Sequence, residues 1–379
     1  MKVTVHDSIA DIAVTDWNHL AGTEYPFLRH EFLNAAEETR CVAPVQGWTP
    51  RHLTIGKKGH LRAAMPLYEK SHSWGEFVFD WAWARAYEQA GFRYYPKLVS
   101  AVPFTPAPSR RLLLADRNDK EAAHALIAAA IALADESDCS SFHILFPTAE
   151  EIPLLETAGL LVRKDCQFHW HNRGYRNFDD FLATFNSAKR KKAKRDRRRA
   201  GENGIRFRRL KGDEMDDAIW SVVYALISRT FMQRGSLPYF NEVFFKSISE
   251  QLPENILVVL ADKESSPVAA AVFFESDRVL YGRYWGSDGH YDALHFETCY
   301  YQGIDYCIDT GKQLFEPGTQ GEHKISRGFS PETTWSAHWL AHPEFADAIG
   351  RYLDEEARHV DSYMDAVASR TPYKTRYEQ

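Results

Sequence analysis

Between Phe315 and Phe329 the sequence places Gln320, Glu322, His323, Lys324 and Arg327 among Gly318, Gly321 and Gly328, with Pro317 near the start. A carboxylate beside an imidazole can take a proton near neutral pH, and the two cations can meet negative charge as it develops. A solvated loop would carry this polarity cheaply, yet it would not need Phe315, Ile325 and Phe329 as anchors. Apolar anchors around a polar, glycine-rich centre predict a loop pinned onto a core, with its polar groups gathered at one place. The alternative is an ordinary crossing between strands, with Glu322 and His323 held as a structural hydrogen-bonded pair.

Other residues could complete such a site. His295 and Glu297 stand at the start of a predicted helix, where they could orient a substrate. Arg283 shares a strand face with Tyr281 and Trp285, which suits either a substrate slot or plain packing. Gln167, His169 and His171 share the face of another strand; the two histidines at i, i+2 lack a third ligand, so no metal is expected. Thirteen Lys/Arg and two acids fall between Asn186 and Lys211, a local charge of +11 that leaves −17 for the remainder. Nine of the eleven residues from 189 to 199 are basic and none is aromatic, so base stacking is not indicated. Phosphate contact through residues such as Lys189, Arg190, Lys192 and Arg195 is the functional reading, and a solvated arm the plain one.

The elements that must position these groups read as a mixed α/β chain. A strand at Lys2–Val5 and a helix at His30–Glu38 precede a hairpin whose arms, His52–Ile55 and Leu61–Tyr68, flank Gly56-Lys57-Lys58-Gly59. Trp74–Asp80 is expected to continue the sheet, followed by a helix at 82–90, a strand at 94–102, an alanine-rich helix at 120–134 and strands at 141–146 and 161–170. Asn177 can cap a helix with the stripe Phe178, Phe181, Leu182, Phe185, continuing past a weak point at Asn186-Ser187 into the basic run and ending at Gly201–Gly204. Beyond it come a strand at 206–210, a helix around Ile219–Leu226, a hairpin at 256–274, a strand at 279–285, a helix at 294–309 and a last helix at 345–367. Residues 51–108 and 255–331 repeat one order: hairpin, aromatic strand, helix, strand, then a proline- or glycine-rich stretch.

A chain of 379 residues, 44% hydrophobic and 13% aromatic, has ample material for two or three cores and is not disordered. No apolar run reaches the ~18 residues of a transmembrane helix, and Met1–Leu20, with Asp7, Asp11 and Asp16, lacks an apolar signal core, so a cytoplasmic protein is expected. Five cysteines, at 41, 139, 166, 299 and 307, show no CxxC spacing and read as small buried side chains.

Three stretches resemble one family: Gln167-Phe168-His169-Trp170 with Asn172, Gly174 and Tyr175; the basic run before Gly204-Ile205; and His295-Phe296-Glu297 with Tyr300-Tyr301, followed by Pro317 to Lys324 and Arg327-Gly328-Phe329. Pro103-Phe104-Thr105-Pro106 near Arg110-Arg111-Leu112 fits as well. The chain resembles the bacterial FemAB-like proteins, labelled as peptidoglycan-biosynthesis proteins, which are similar to Fem-type aminoacyltransferases and belong to the GNAT clan. The resemblance implies two tandem GNAT-like domains, here 1–175 and 176–379, the second carrying the basic segment 186–211. Each would have a mixed, mainly antiparallel sheet flanked by helices, and a wedge between two central strands. In the second domain Tyr281–Trp285 and Leu314–Glu316 would flank the wedge.

It further implies transfer of an acyl or aminoacyl group to a small-molecule or peptide amine. For such a transfer Glu322 and His323 are the base candidates, because both lie in the pinned loop. Lys324, Arg327 and backbone N–H groups beside Gly318 and Gly321 would meet the oxyanion. Gln320, His295, Glu297, Arg283, Trp285, Gln167 and His169 would contact substrate. The donor would be acyl-CoA or aminoacyl-tRNA. The loop Gly286–Asp292 has the glycines of a pyrophosphate cradle but two aspartates and no Arg/Gln-x-x-Gly-x-Gly/Ala pattern, whereas the basic run suits tRNA or another phosphate-bearing ligand. The competing expectation is a non-catalytic protein that binds tRNA or another anionic ligand on a degenerate transferase scaffold.

Overall fold

The computed structural model describes residues 1–202, 204–319 and 321–374, and these form two compact units. The first contains Met1–Cys166 and Thr333–Ser362; the second contains Gln167–Glu332 and the segment that begins at Tyr363.

In the first unit the strands are β1 (Val3–His6), β2 (Trp48–Pro50), β3 (His52–Lys57), β4 (His60–Met65), β5 (Tyr68–Lys70), β6 (Lys97–Ser100), β7 (Leu113–Leu114), β8 (Ser141–Leu145) and the start of β9 (Leu161–His171). Its helices are α1 (Val14–Ala21), α2 (His30–Glu38), α3 (Trp81–Gln89), α4 (Lys120–Glu136) and α5 (Ile152–Thr157). One antiparallel sheet has the order β1-β3-β4-β7; another joins β2, β5, β6 and β8, with β6 and β8 parallel. Asp119 caps α4 by accepting from the Ala122 N–H. The face of α4 carrying Ala122, Leu126, Ile127 and Ala130 is buried against Leu53, Met65 and Phe142, and the small alanines let helix and sheet approach closely.

Two expectations fail here for local reasons. Trp74–Asp80 does not extend the sheet: Gly75 (φ +82°) and Phe77 (φ +62°) turn left-handed and break the pleat. Glu76 and Asp80 thereby turn inward to the fully buried Lys97 ammonium, Glu76 at 2.7 Å. Residues 333–362 also belong to this unit, not to a C-terminal domain cut at 175/176. The strand Ser330–Leu340 pairs antiparallel with β8 (Ser336↔Leu145 to Leu340↔Ser141), and the helix Pro343–Ala368 packs Phe345, Ile349 and Leu353 around Trp83, Tyr87 and Tyr94.

The second unit holds α6 (Phe178–Ala183), α7 (Ser187–Glu202), β10 (Ile205–Lys211), α8 (Asp217–Gln233), α9 (Glu242–Gln251), β11 (Ile256–Lys263), β12 (Ser266–Glu275), β13 (Val279–Ser287), α10 (Leu294–Phe296), a π turn (Glu297–Tyr301), α11 (Gln302–Thr310), β14 (Leu314–Glu316) and a 3-10 helix (Glu322–Arg327). Its sheet runs β10-β11-β12-β13-β14-β9, antiparallel except for β13 and β14. The expected mixed, mainly antiparallel architecture flanked by helices is present in both units. The aromatic stripe and the basic run form two helices rather than one, because Phe185 leaves the helix to bridge Tyr373 and Asn186 restarts it by capping the Lys189 N–H.

Candidate active site

β13 and β14 pair through Val279↔Leu314, Leu280↔Phe315 and Tyr281↔Glu316. The ladder stops there because Pro317 has no N–H to donate and Gly318 turns away at φ +92°. β13 runs on to Ser287 without that neighbour. A cavity of about 210 Å³ opens beside it, with Arg234, Arg283, Trp285, His295, Cys299 and Tyr300 among its lining residues. A wider depression of about 800 Å³ lies along the β10–β11 edge. Its described lining holds no imidazole, thiol or phenol, and Arg208 there is paired with Asp262, so the smaller cavity is the chemical candidate. On its other edge β13 slips register: Val272 faces Tyr284 while Phe273 faces Gly282, which makes Arg283 the extra residue of a β-bulge. Bulges re-aim a side chain. Here the guanidinium donates to the Gly282 carbonyl at 2.9 Å, lies 5.3 Å from the Tyr281 ring centre and reaches within 3.9 Å of Glu316.

The wall opposite is supplied by the π turn between α10 and α11, a distortion common at functional sites. The His295 ring lies 5.2 Å from Trp285, 5.4 Å from Tyr300 and 6.0 Å from His323. Burial, reinforced by His323, Arg327, Arg234 and Lys324, holds His295 down to about 4, so it is neutral at pH 7. The Tyr300 hydroxyl is 2.8 Å from His323 Nε2. Burial pushes that phenol up and so keeps its proton on, and burial with Arg327 and Lys324 pushes His323 down. Burial likewise pushes the Cys299 thiol up, so it is no ready nucleophile.

Behind the cavity lies a further buried polar group. Lys324 is 1% exposed and donates from Nζ to the Gly318 carbonyl at 2.5 Å; burial, then Arg283, lowers it to about 7. Burial raises the Glu316 carboxyl to about 7, and its Oε2 makes no hydrogen bond among the described residues. His169, 3.3 Å from Gln167 Oε1, is lowered to about 3 by burial, with His171, Lys324 and Arg283 adding to it.

A family model described as FemAB-like, peptidoglycan biosynthesis/recognition, matches residues 8–375. The chain belongs to the FemAB-like family. No curated protein matches it. In fold, this FemAB-like chain is similar to the crystal structure of FemX, with 13% identity over 92% of this chain and 100% of that one and a TM-score of 0.55. It is similar too to the C-terminal domain of an Agrobacterium fabrum protein described as a lysylphosphatidylglycerol synthetase (9% identity, 91% and 97% covered, TM-score 0.57). A third likeness is to L-PGS from Bacillus licheniformis (12%, 84% and 95%, 0.50). No helix among the described residues is long and apolar enough to cross a membrane.

Not every expected residue joins the cavity. Arg283, Trp285 and His295 line it; His323 touches it through Tyr300. Glu322 does not. It is exposed and accepts from Tyr363 and Arg370, both at 3.1 Å. The reason is the 3-10 helix, whose ~3 residues per turn send adjacent side chains about a third of a turn apart, so Glu322 and His323 diverge. Glu297 is buried but faces α7, accepting from Arg197 at 3.2 Å and Gln302 at 2.8 Å. Arg327 is buried as a tie: it donates to the His323 carbonyl at 2.7 Å, reaches Asp196 of α7 at 3.3 Å and covers the Phe296 ring. Gln167 and His169 lie behind the lining rather than in it. Gln320 lies outside the described residues.

α7 turns Ala193, Asp196 and Ala200 inward, so its charge does not surround it evenly. Lys194, Arg197, Arg198 and Arg199 have acidic partners. Lys189, Arg190, Lys191, Lys192 and Arg195 have none among the described residues. The sequence gives Arg234, Tyr300 and Glu316 no role of their own in a site. Arg234 follows a helix with no motif around it, Tyr300 reads as helix core, and Glu316 reads as the end of a strand.

Proposed function

We propose that this chain is an N-acyltransferase of the FemAB-like type, joining an acyl or aminoacyl group to an amine. The observation that carries the reading is the cavity at the β13–β14 opening, where a neutral imidazole, His295, stands beside the Tyr300–His323 pair with cationic groups around it. The amine nitrogen attacks the acyl carbonyl and a C–N bond forms. Arg283 and backbone N–H groups near Gly318 are the donors placed for the oxyanion, with Lys324 charged behind them for part of the time at neutral pH. His295 takes the amine proton; as the C–O or C–S bond to the carrier breaks, that proton goes to the leaving atom. His323, hydrogen-bonded to Tyr300, holds the phenol at the cavity wall.

Two donors remain chemically possible, acyl-CoA and aminoacyl-tRNA, and one observation favours the second. Five cations on α7 without an acidic partner among the described residues offer contacts to a phosphate backbone. Of the two glycines in Gly286–Asp292, by contrast, Gly286 lies inside β13 and serves packing: a Cβ there would fall 2.1 Å from the Leu226 carbonyl carbon of α8. The test is transfer of a labelled acyl group from charged tRNA or from acyl-CoA to a set of amines. His295→Ala should lower turnover by roughly 10²–10⁴-fold with the fold retained, while Glu322→Gln should leave turnover unchanged. Wild-type turnover in the His295 variant would remove the mechanism.

A further inference from the structure

The described lining of the cavity contains two guanidiniums, Arg234 and Arg283, and no carboxylate. The two arginines differ. Arg283 is buried in the bulge, hydrogen-bonded to Gly282 and 3.9 Å from Glu316. Arg234 is exposed at the mouth, in the residue that closes α8, and its guanidinium has no hydrogen-bond or ion-pair partner among the described residues. A basic residue at a helix C-terminus often serves the helix itself, by bonding its last carbonyls or complementing its dipole. Here only the Arg234 backbone N–H does so, donating to Phe231, and the side chain borders the opening instead.

A free, planar, five-donor cation at the mouth of a cavity without acids matches a carboxylate or phosphate oxygen pair. We infer that Arg234 is the anion-binding residue of this cavity, and that the anion is a carboxylate or phosphate carried by the amine acceptor a short linker away from its nucleophilic nitrogen. The inference rests on the transfer reading above. The volume, about 210 Å³, equals roughly seven water molecules at ~30 Å³ each, so the enclosed end of the acceptor is of amino-acid size.

The same contact has a consequence for the base. After burial, Arg234 is one of the groups that hold the His295 imidazole down, with His323, Arg327 and Lys324. An anion on Arg234 cancels part of that repulsion and makes His295 a stronger base when an acceptor is present. Neutral amines would lack both the clamp and the boost.

The experiment is calorimetric titration of the full chain with two matched pairs, glycylglycine against glycylglycine amide and phosphoethanolamine against ethanolamine, on wild type, Arg234→Gln and Arg234→Lys. One anionic member should bind at least about tenfold tighter than its neutral partner, the low end for a charge-assisted hydrogen bond in a partly open site. The pair that shows the difference identifies carboxylate or phosphate. Arg234→Gln should erase the difference and Arg234→Lys keep part of it. Equal affinities within both pairs, no binding by any of the four, or a difference that survives in Arg234→Gln would overturn the inference. Binding is read without turnover, so the two readings fail separately. A selective but inactive protein keeps the anion subsite and loses the transferase; an active protein that ignores the anion does the reverse.

Discussion

Glu316→Gln removes a buried carboxyl while keeping its shape, and its effect on stability should depend on pH in one direction only. In the folded chain burial lifts Glu316 from 4.5 to about 7, and Arg283, 3.9 Å away and hydrogen-bonded to Gly282, offsets this only in part. Across that window the folded state holds a proton that the unfolded chain has released, so stability falls as pH rises from about 4.5 to 7. At roughly 1.4 kcal/mol per pH unit the loss reaches about 3 kcal/mol by pH 8. For a unit of this size that is about 6–12 °C in melting temperature. Glutamine has no proton to lose. Circular-dichroism melts at fixed ionic strength should therefore show the variant and wild type differing least near pH 4.5, with the variant gaining steadily to pH 8. A constant offset would mean that Arg283 balances burial, and a wild type that gains on the variant as pH rises would mean that Arg283 outweighs it and that the two groups form an ordinary ion pair.

Lys324→Met should show a different dependence. The folded amine titrates near 7 and the unfolded one near 10.5, so the unfolded chain binds more protons between those values and wild-type stability rises with pH there; in the same melts, the methionine variant should be favoured most below pH 7 and lose its advantage towards pH 10. Gly286→Ala should be among the most damaging single changes in the second unit, because the added methyl meets the backbone of α8 at 2.1 Å, which cannot give way as a side-chain tip could; soluble yield and melting temperature report it. Replacing Lys191, Lys192 and Arg195 together with glutamine should flatten the dependence of log affinity for tRNA on log salt by about two to three, at roughly 0.7–0.9 per lost phosphate contact. An unchanged slope would place the phosphates elsewhere.

What the residue pattern made legible was period and punctuation. Hairpins with Gly-rich turns, the capped helix at Asn177 and the Ala-rich α4 follow from local rules and stand where expected. That Tyr281–Trp285 and Leu314–Glu316 are neighbours came from the resemblance rather than from any local rule; β13 and β14 pair there, and Arg283, Trp285 and His295 line the cavity beside them. What stayed hidden depends on events that do not repeat along the chain. A π turn adds one residue and rotates everything after it by about 100°, so Tyr300 passes for helix core and Cys299 for filler, although both line the cavity. The 3-10 turn sends Glu322 and His323 about a third of a turn apart, and Glu322 ends beside Arg370. Gly286 looks the same on paper whether it must admit a phosphate or a helix. Only the distance to Leu226 decides.

The chain leaves its second unit after Glu332, adds a strand and most of a helix to the first, and resumes the second at Tyr363. Halves made by one scission near residue 175 would therefore each be defective. The N-terminal piece would leave β8 without the neighbour it has in Ser336–Leu340, and the C-terminal piece would carry Phe345, Ile349 and Leu353 with nothing to cover them. Raw strand margins and bare apolar stripes invite aggregation. Dissecting the protein calls for a circularly permuted or loop-spliced gene, in which Glu332 is joined to Tyr363 through a flexible tether, rather than for two truncations.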